Sequence, residues 1–151
     1  MYLRRNLLAL CAAVVFAVGF CLRSSTATAV PDFAPGQIWS IKSTPPTTAK
    51  VVIVRIEPWH KRTVVHVSII DIPVPKGVSA NEQITAVGDM PFDKSALAAS
   101  VNQLLGTRGK PAPGFSPAYN QWRADKTAGV FTVSVAKAIQ LMLESTYGPR
   151  K

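Results

Sequence analysis

The chain has 151 residues, with 17 lysines and arginines against 8 aspartates and glutamates, 2 histidines and 2 cysteines. Both cysteines, Cys11 and Cys21, lie in the first 29 residues, so disulfide scaffolding, thiol catalysis and cysteine-ligated zinc are excluded for the rest of the chain. The basic balance points toward anionic partners.

Residues 1–29 read as a cleaved export signal. Arg4 and Arg5 form a basic start, the run 7–22 is apolar and uncharged, and Ala27-Thr28-Ala29 is a small-residue cleavage site. The run has 16 residues, fewer than the roughly 20 needed to cross a hydrocarbon core, and Arg23 closes it. Lipid attachment at Cys21 is disfavoured because the bulky Phe20 precedes it. Cleavage before Val30 leaves 122 of the 151 residues (151 less 29) and no transmembrane segment. Losing Arg4, Arg5 and Arg23 takes the 17 basic residues to 14 against 8 acidic, a net charge of +6. That length suits one domain, 30–151, with a modest core, working in the periplasm or released from the cell.

Pro35-Gly36 is a turn ahead of a first short strand over 37–42. A second strand over 50–57 sets Val52, Val54 and Ile56 on one face, and a third over 63–71 sets Val65, Val67 and Ile69 on one face. The short gap between them predicts an antiparallel hairpin. Matching the apolar faces pairs Pro58 with Thr63 and Asp71 with Lys50, leaving 59–62 as a four-residue tip. The alternate prolines Pro73 and Pro75 bar a central strand after it, so an edge or extended exit is expected there. Residues 84–87 are expected to add a short fourth strand.

The period then changes. Asp93 caps a predicted helix from Lys94 carrying Leu97, Val101, Leu104 and Leu105, with Gly106 as its stop. After a loop over 107–115, Ser116 and Pro117 open a short helix with Tyr119 and Trp122. A short strand over 130–133 and a last helix over 134–144, with Val135, Ile139, Met142 and Leu143 at helical spacing, complete the series. Residues 147–151 read as a fraying basic tail. The fold class is α+β: a small curved antiparallel sheet of three to five strands packed against two or three helices. Both periodicities place Trp39, Val52, Val54, Ile56, Val65, Val67, Ile69, Leu97, Val101, Leu104, Ile139 and Leu143 in one core.

Three short motifs, Pro35-Gly36-Gln37-Ile38-Trp39, Met90-Pro91-Phe92 and Gly129-Val130-Phe131, give the chain a resemblance to a group of small uncharacterised bacterial proteins. The resemblance implies a compact α+β unit and a bacterial origin, and no activity or catalytic residue.

Chemistry has to be sought among the residues themselves. His60 falls in the hairpin tip and His66 six positions on, too few and too far apart along the strand for a histidine-built metal centre, and no metal or other cofactor is expected. Serines and threonines lie in no nucleophile elbow. Gly106-Thr107-Arg108-Gly109-Lys110 follows a predicted helix, whereas a phosphate-binding loop follows a strand.

Above this background stands the tip, where Trp59, His60, Lys61 and Arg62 bring an indole and two fixed cations together. It suits either a cation stacked on the indole or an anionic partner met through phosphate or carboxylate contacts, with Trp59 folding back over the sheet as the bland alternative. Nucleic acid, the usual partner of a basic domain, is rarely met by an exported protein. The sequence therefore favours a non-enzymatic exported module binding a protein or an anionic component of the envelope. The alternative is a small hydrolase assembled in space around His66, with Ser68 and a carboxylate from elsewhere.

Overall fold

β-Branched residues dominate two of the strands that build the sheet. In the computed structural model, which describes residues 30–148, β1 (Ile38–Ile41), β2 (Lys50–Trp59), β3 (Arg62–Ile70), β4 (Val87–Asp93) and β5 (Val101–Gly106) form one sheet in the order β4-β3-β2-β1-β5. Every neighbouring pair is antiparallel. Three helices, α1 (Lys94–Ser100), α2 (Phe115–Ala124) and α3 (Val135–Tyr147), complete the α+β fold. Residues 1–29, the expected export signal, and residues 149–151 of the tail lie outside the described residues.

The β2–β3 hairpin has the expected pairing near its tip, with Pro58 opposite Thr63 and Ile56 opposite Val65. The strands run one pair further, to Trp59 opposite Arg62, so the turn itself is only His60 and Lys61, with His60 at a φ of 52°. Toward the other end the register departs from expectation. Arg55 pairs with His66, but Ile53 pairs with Val67, which leaves Val54 as an extra, bulged residue. One inserted residue exchanges the faces of everything before it. Val51 and Ile53, not Val52 and Val54, therefore join Ile56 on the face of Val65, Val67 and Ile69, and Lys50 pairs with Ile70. Lys50 still reaches the neighbouring Asp71, at 2.6 Å.

Three further expectations are corrected. The fourth strand lies over Val87–Asp93 and includes the Met90-Pro91-Phe92 step, with Phe92 opposite Val65 and Met90 opposite Val67. The helix after Asp93 stops at Ser100, and Val101–Gly106 is a strand paired with β1. Ser100 turns the chain: its buried hydroxyl donates to Ala96 O and accepts from Val135 N, while its carbonyl accepts from Lys42 N. The apolar spacing that suggested a longer helix is overridden by tertiary pairing: the chain turns at Ser100 and Val101–Gly106 joins β1. Leu104 is consequently 42% exposed and outside the core. Residues 130–133 form no strand, only a single parallel bridge between Phe131 and Phe92.

Two smaller shifts follow local chemistry. α2 starts at Phe115 after Gly114, whose φ of 83° suits glycine, and Ser116 lies within the first turn. α3 is capped by Ser134, which accepts from Lys137 N, and extends to Tyr147. Tyr147 is anchored rather than frayed, since its hydroxyl donates to Glu82 O and accepts from Ile84 N.

The sheet is covered on both sides. Val51, Ile53, Val65, Val67, Ile69, Met90 and Phe92 on one face pack with Leu97 of α1 and Val135, Ala138 and Ile139 of α3. The opposite face, with Val52, Val64, His66 and Ser68 buried, lies under residues 107–124. Two glycines let this cover approach. A Cβ at Gly88 would lie 2.6 Å from Phe115 N, and one at Gly109 would lie 2.7 Å from Val52.

Candidate functional site

The four tip residues have unequal surroundings. Trp59 folds back, its ring 4.4 Å from that of Trp122 on α2 and 5.0 Å from His60, with the Arg123 guanidinium 4.9 Å above its centroid. Arg62 reaches Asp93 at 3.2 Å, and both Lys61 and His60 are exposed. Asp93 also accepts from the hydroxyl and amide of Ser95. The Ser95 hydroxyl above all holds the Asp93 carboxyl below the usual carboxylate range, assisted by the Ser95 amide and Arg62 against the effect of burial.

Beside the tip is a cleft of about 290 Å³ walled by Trp59, His60 and Arg62 on one side and by Ala128, Gly129, Val130 and Thr132 on the other. Trp122 ties the two walls together, since its indole N–H donates to Gly129 O at 2.8 Å. The Trp59 indole nitrogen is buried with no acceptor among the described residues. The cleft thus joins an aromatic wall to a cationic rim.

Beneath the tip lies a second constellation that the sequence reading placed only in part. His66 is fully buried, with Nδ1 3.0 Å from both carboxylate oxygens of Asp89 and Nε2 3.3 Å from Glu57 Oε1. Tyr119 of α2 donates to the same Glu57 oxygen at 2.8 Å, and its ring and that of Trp122 meet the imidazole edge to face at 4.9 and 4.6 Å. Burial, and the hydrogen bond to Glu57, hold the Tyr119 hydroxyl above the usual phenol range. Arg55 and Arg123 approach Glu57 from the outer side, at 3.5 and 3.9 Å.

Glu57 and His66 meet because they are diagonal neighbours on one face of the hairpin, a relation already contained in the tip register. Asp89 and Tyr119 carried no such signal, since one belongs to a strand placed differently from the sequence and the other comes across a layer.

Chemically the centre is an imidazole bonded to the Asp89 carboxylate and sealed by aromatic rings, with its buried Nε2 near Glu57 but without a hydrogen-bond partner among the described residues. The Ser68 hydroxyl, on the same face, donates to Gly88 O at 2.6 Å and accepts from Ala112 N at 3.0 Å. Its hydrogen bonds therefore fasten the 107–114 segment to the sheet. Among the described residues no group of three or more histidines, cysteines and carboxylates is arranged to hold a metal ion, and no helix is long and apolar enough to cross a membrane.

A separate cavity of about 620 Å³ separates the 43–47 loop from α3, with Pro45, Ile139 and Leu143 among its walls. No protein-family model, no curated protein and no solved structure matches the chain.

Proposed function

We propose that this protein is an exported, non-enzymatic binding module of the bacterial envelope, and that it takes an anionic envelope component at the β2–β3 tip. The observation carrying this reading is the cleft walled by Trp59, His60 and Arg62, with Lys61 exposed on the turn beside it. An indole wall and a cationic rim suit a ligand that presents anionic oxygens next to apolar or cationic groups, as a phospholipid surface does. Export rests on the character of residues 1–29. A hydrolase using His66 and Ser68 has the Asp89–His66 contact in its favour. Against it stand a ring with no exposed surface and a serine hydroxyl bonded elsewhere.

The test is binding of the exported protein to vesicles of phosphatidylglycerol, with phosphatidylcholine vesicles as control. Each basic residue near an anionic surface is worth about 1 kcal/mol, so the double variant Lys61→Gln/Arg62→Gln should bind roughly 10- to 30-fold less tightly at low salt. The Arg62–Asp93 pair is half exposed and contributes about 0–1 kcal/mol, so the variant should remain folded. Added salt should narrow the gap between the two proteins. Equal binding by parent and variant across the salt series would remove the tip as the site.

A further inference from the structure

The tip cleft does not end at the hairpin. Gly129 and Val130, on its far wall, also line a hollow of about 290 Å³ together with Phe131, and Phe131 in turn walls a third concavity of about 400 Å³ between β4 and α3. Through these shared walls the three make one furrow. Its course follows β4. Arg62 at the tip reaches Asp93, the last residue of that strand, Phe131 is hydrogen-bonded beside Pro91 and Asp93, and Met90 and Val87 line the inner end. The 7 residues of β4 span about 20 Å.

The two ends of the furrow differ in chemistry. At the tip end stand Trp59, His60 and Arg62. Asp93 takes one N–H of the Arg62 guanidinium, which leaves others for a second anion, and the Trp59 indole N–H has no acceptor among the described residues. At the α3 end Ala138, Leu141 and Met142 follow one another at i, i+3 and i+4, a single stripe of the helix, with Val87 and Met90 lining the same concavity. Only Asp89 is ionisable among the residues lining that end, and its carboxylate is turned to His66. Phe131 is 36% exposed and Leu141 45%, so apolar surface is open to solvent there.

We infer that the furrow holds one molecule of an anionic amphiphile with a single acyl chain, its phosphate at the tip and its chain along β4 toward α3. The inference rests on the reading of the tip as an anion site and adds the apolar half of the ligand. A bare phosphate would leave the groove beyond Phe131 uncovered, and a wholly apolar molecule would leave Arg62 and the indole N–H unused. Length agrees with this choice. The chains of one leaflet reach about 15 Å, half of a hydrocarbon core of ~30 Å, and fit within the roughly 20 Å that β4 provides. The concavities at the two ends, about 290 and 400 Å³, are of the size of small-molecule sites, about 300–1,000 Å³. An intact bilayer fits less well, because the exposed apolar side chains line a hollow, which a single chain fills and a flat surface does not.

The experiment follows tryptophan fluorescence as the protein is titrated with lysophosphatidylglycerols carrying decanoyl, lauroyl or myristoyl chains, each below its micelle threshold, and with glycerophosphoglycerol as the chainless head. Each buried methylene tightens binding by up to about fourfold, so affinity should climb steeply along the series. Leu141→Gln, an uncharged change at an exposed position, should keep the parent's thermal midpoint and its affinity for glycerophosphoglycerol. It should bind the myristoyl ligand about 5- to 10-fold less tightly, as expected for losing roughly half the burial of a leucine. If Lys61→Gln/Arg62→Gln weakens vesicle binding but affinity ignores chain length, or Leu141→Gln binds the myristoyl ligand as the parent does, the inference falls and the tip reading stands. If the double variant binds every ligand as the parent does, the tip reading fails and the inference with it. An equal loss by Leu141→Gln on phosphatidylglycerol vesicles and on the monomeric ligand would mean that the apolar patch enters a membrane, and also overturns the single-molecule site.

Discussion

Replacing Asp89 by alanine tests whether the buried centre holds the molecule together. The Asp89 side chain is only 2% exposed and is the hydrogen-bond partner of His66 Nδ1, in a ring with no exposed surface. Without it the imidazole N–H is stranded beneath Tyr119 and Trp122. An orphaned buried donor costs about 1–3 kcal/mol, and the space left by the carboxylate adds to that, so about 2–4 kcal/mol is expected. About 120 residues at ~2.1 cal/mol/K each give an unfolding entropy near 250 cal/mol/K, so the thermal midpoint should fall by about 8–16 °C. Tryptophan fluorescence reports the transition, because Trp122 packs on the centre.

The decisive comparison is a double-mutant cycle with His66→Leu. That single change is also costly, since it strands a buried carboxylate, but in its presence Asp89→Ala no longer orphans an N–H. The two changes together should therefore cost at least about 1.5 kcal/mol less than their sum. Additivity within about 0.5 kcal/mol would refute the coupling and reduce the centre to ordinary packing.

Other substitutions probe the corrected architecture. Leu97→Ala, at a fully buried position, should cost about 2–5 kcal/mol, whereas Leu104→Ala, at an exposed one, should stay within about 0.5 kcal/mol, both read from urea denaturation. Ser100→Ala removes the acceptor of the buried Val135 N–H and should cost about 1–3 kcal/mol, with faster amide exchange in the first turn of α3. The pH dependence at the acid end should follow Asp93. Its carboxyl titrates below the ordinary 3.8 in the folded protein, so its contribution is complete above that value and is lost as pH falls through the lower folded value. Asp93→Ala should cost about 1 kcal/mol at neutral pH, and the parent's advantage should disappear in acid.

The elements that were legible in the sequence are those whose signals are local. The hairpin could be read from alternation and loop length, down to the pairing of Pro58 with Thr63. α3 could be read from the apolar spacing of Val135, Ile139, Met142 and Leu143, although Ser134 proved to be its cap and not its first residue. What escaped depended on distant partners. Nothing in the run 50–57 announces that Val54 bulges, because every residue from Val51 to Val54 is β-branched and suits either face. Leu104 and Leu105 continue the helical spacing of Leu97 and Val101, yet pairing with β1 places them in a strand. The site divides in the same way. Trp59, His60, Lys61 and Arg62 are contiguous and visible as a cluster, whereas Asp89 and Tyr119 reach His66 from an unpredicted strand position and from the opposite layer.

The buried centre and the exposed tip are mechanically one object. From Asp89 on β4 the contacts pass through His66 on β3 to Glu57 on β2, then to Tyr119 and Arg123 on α2, and Arg123 lies over the indole of Trp59. Hydrophobic burial is non-directional and does not by itself select one orientation of α2 over the sheet. Hydrogen bonds and close charge contacts converging on Glu57 fix its rotation, and with it Trp122, which forms the other half of the aromatic stack at the tip. A wall already held in place gives up less side-chain entropy when a ligand arrives, and that entropy amounts to about 0.5–1.5 kcal/mol for each side chain immobilised. Under the function proposed above, the polar centre would serve recognition at a distance, by keeping the indoles of Trp59 and Trp122 in one arrangement beside the cleft.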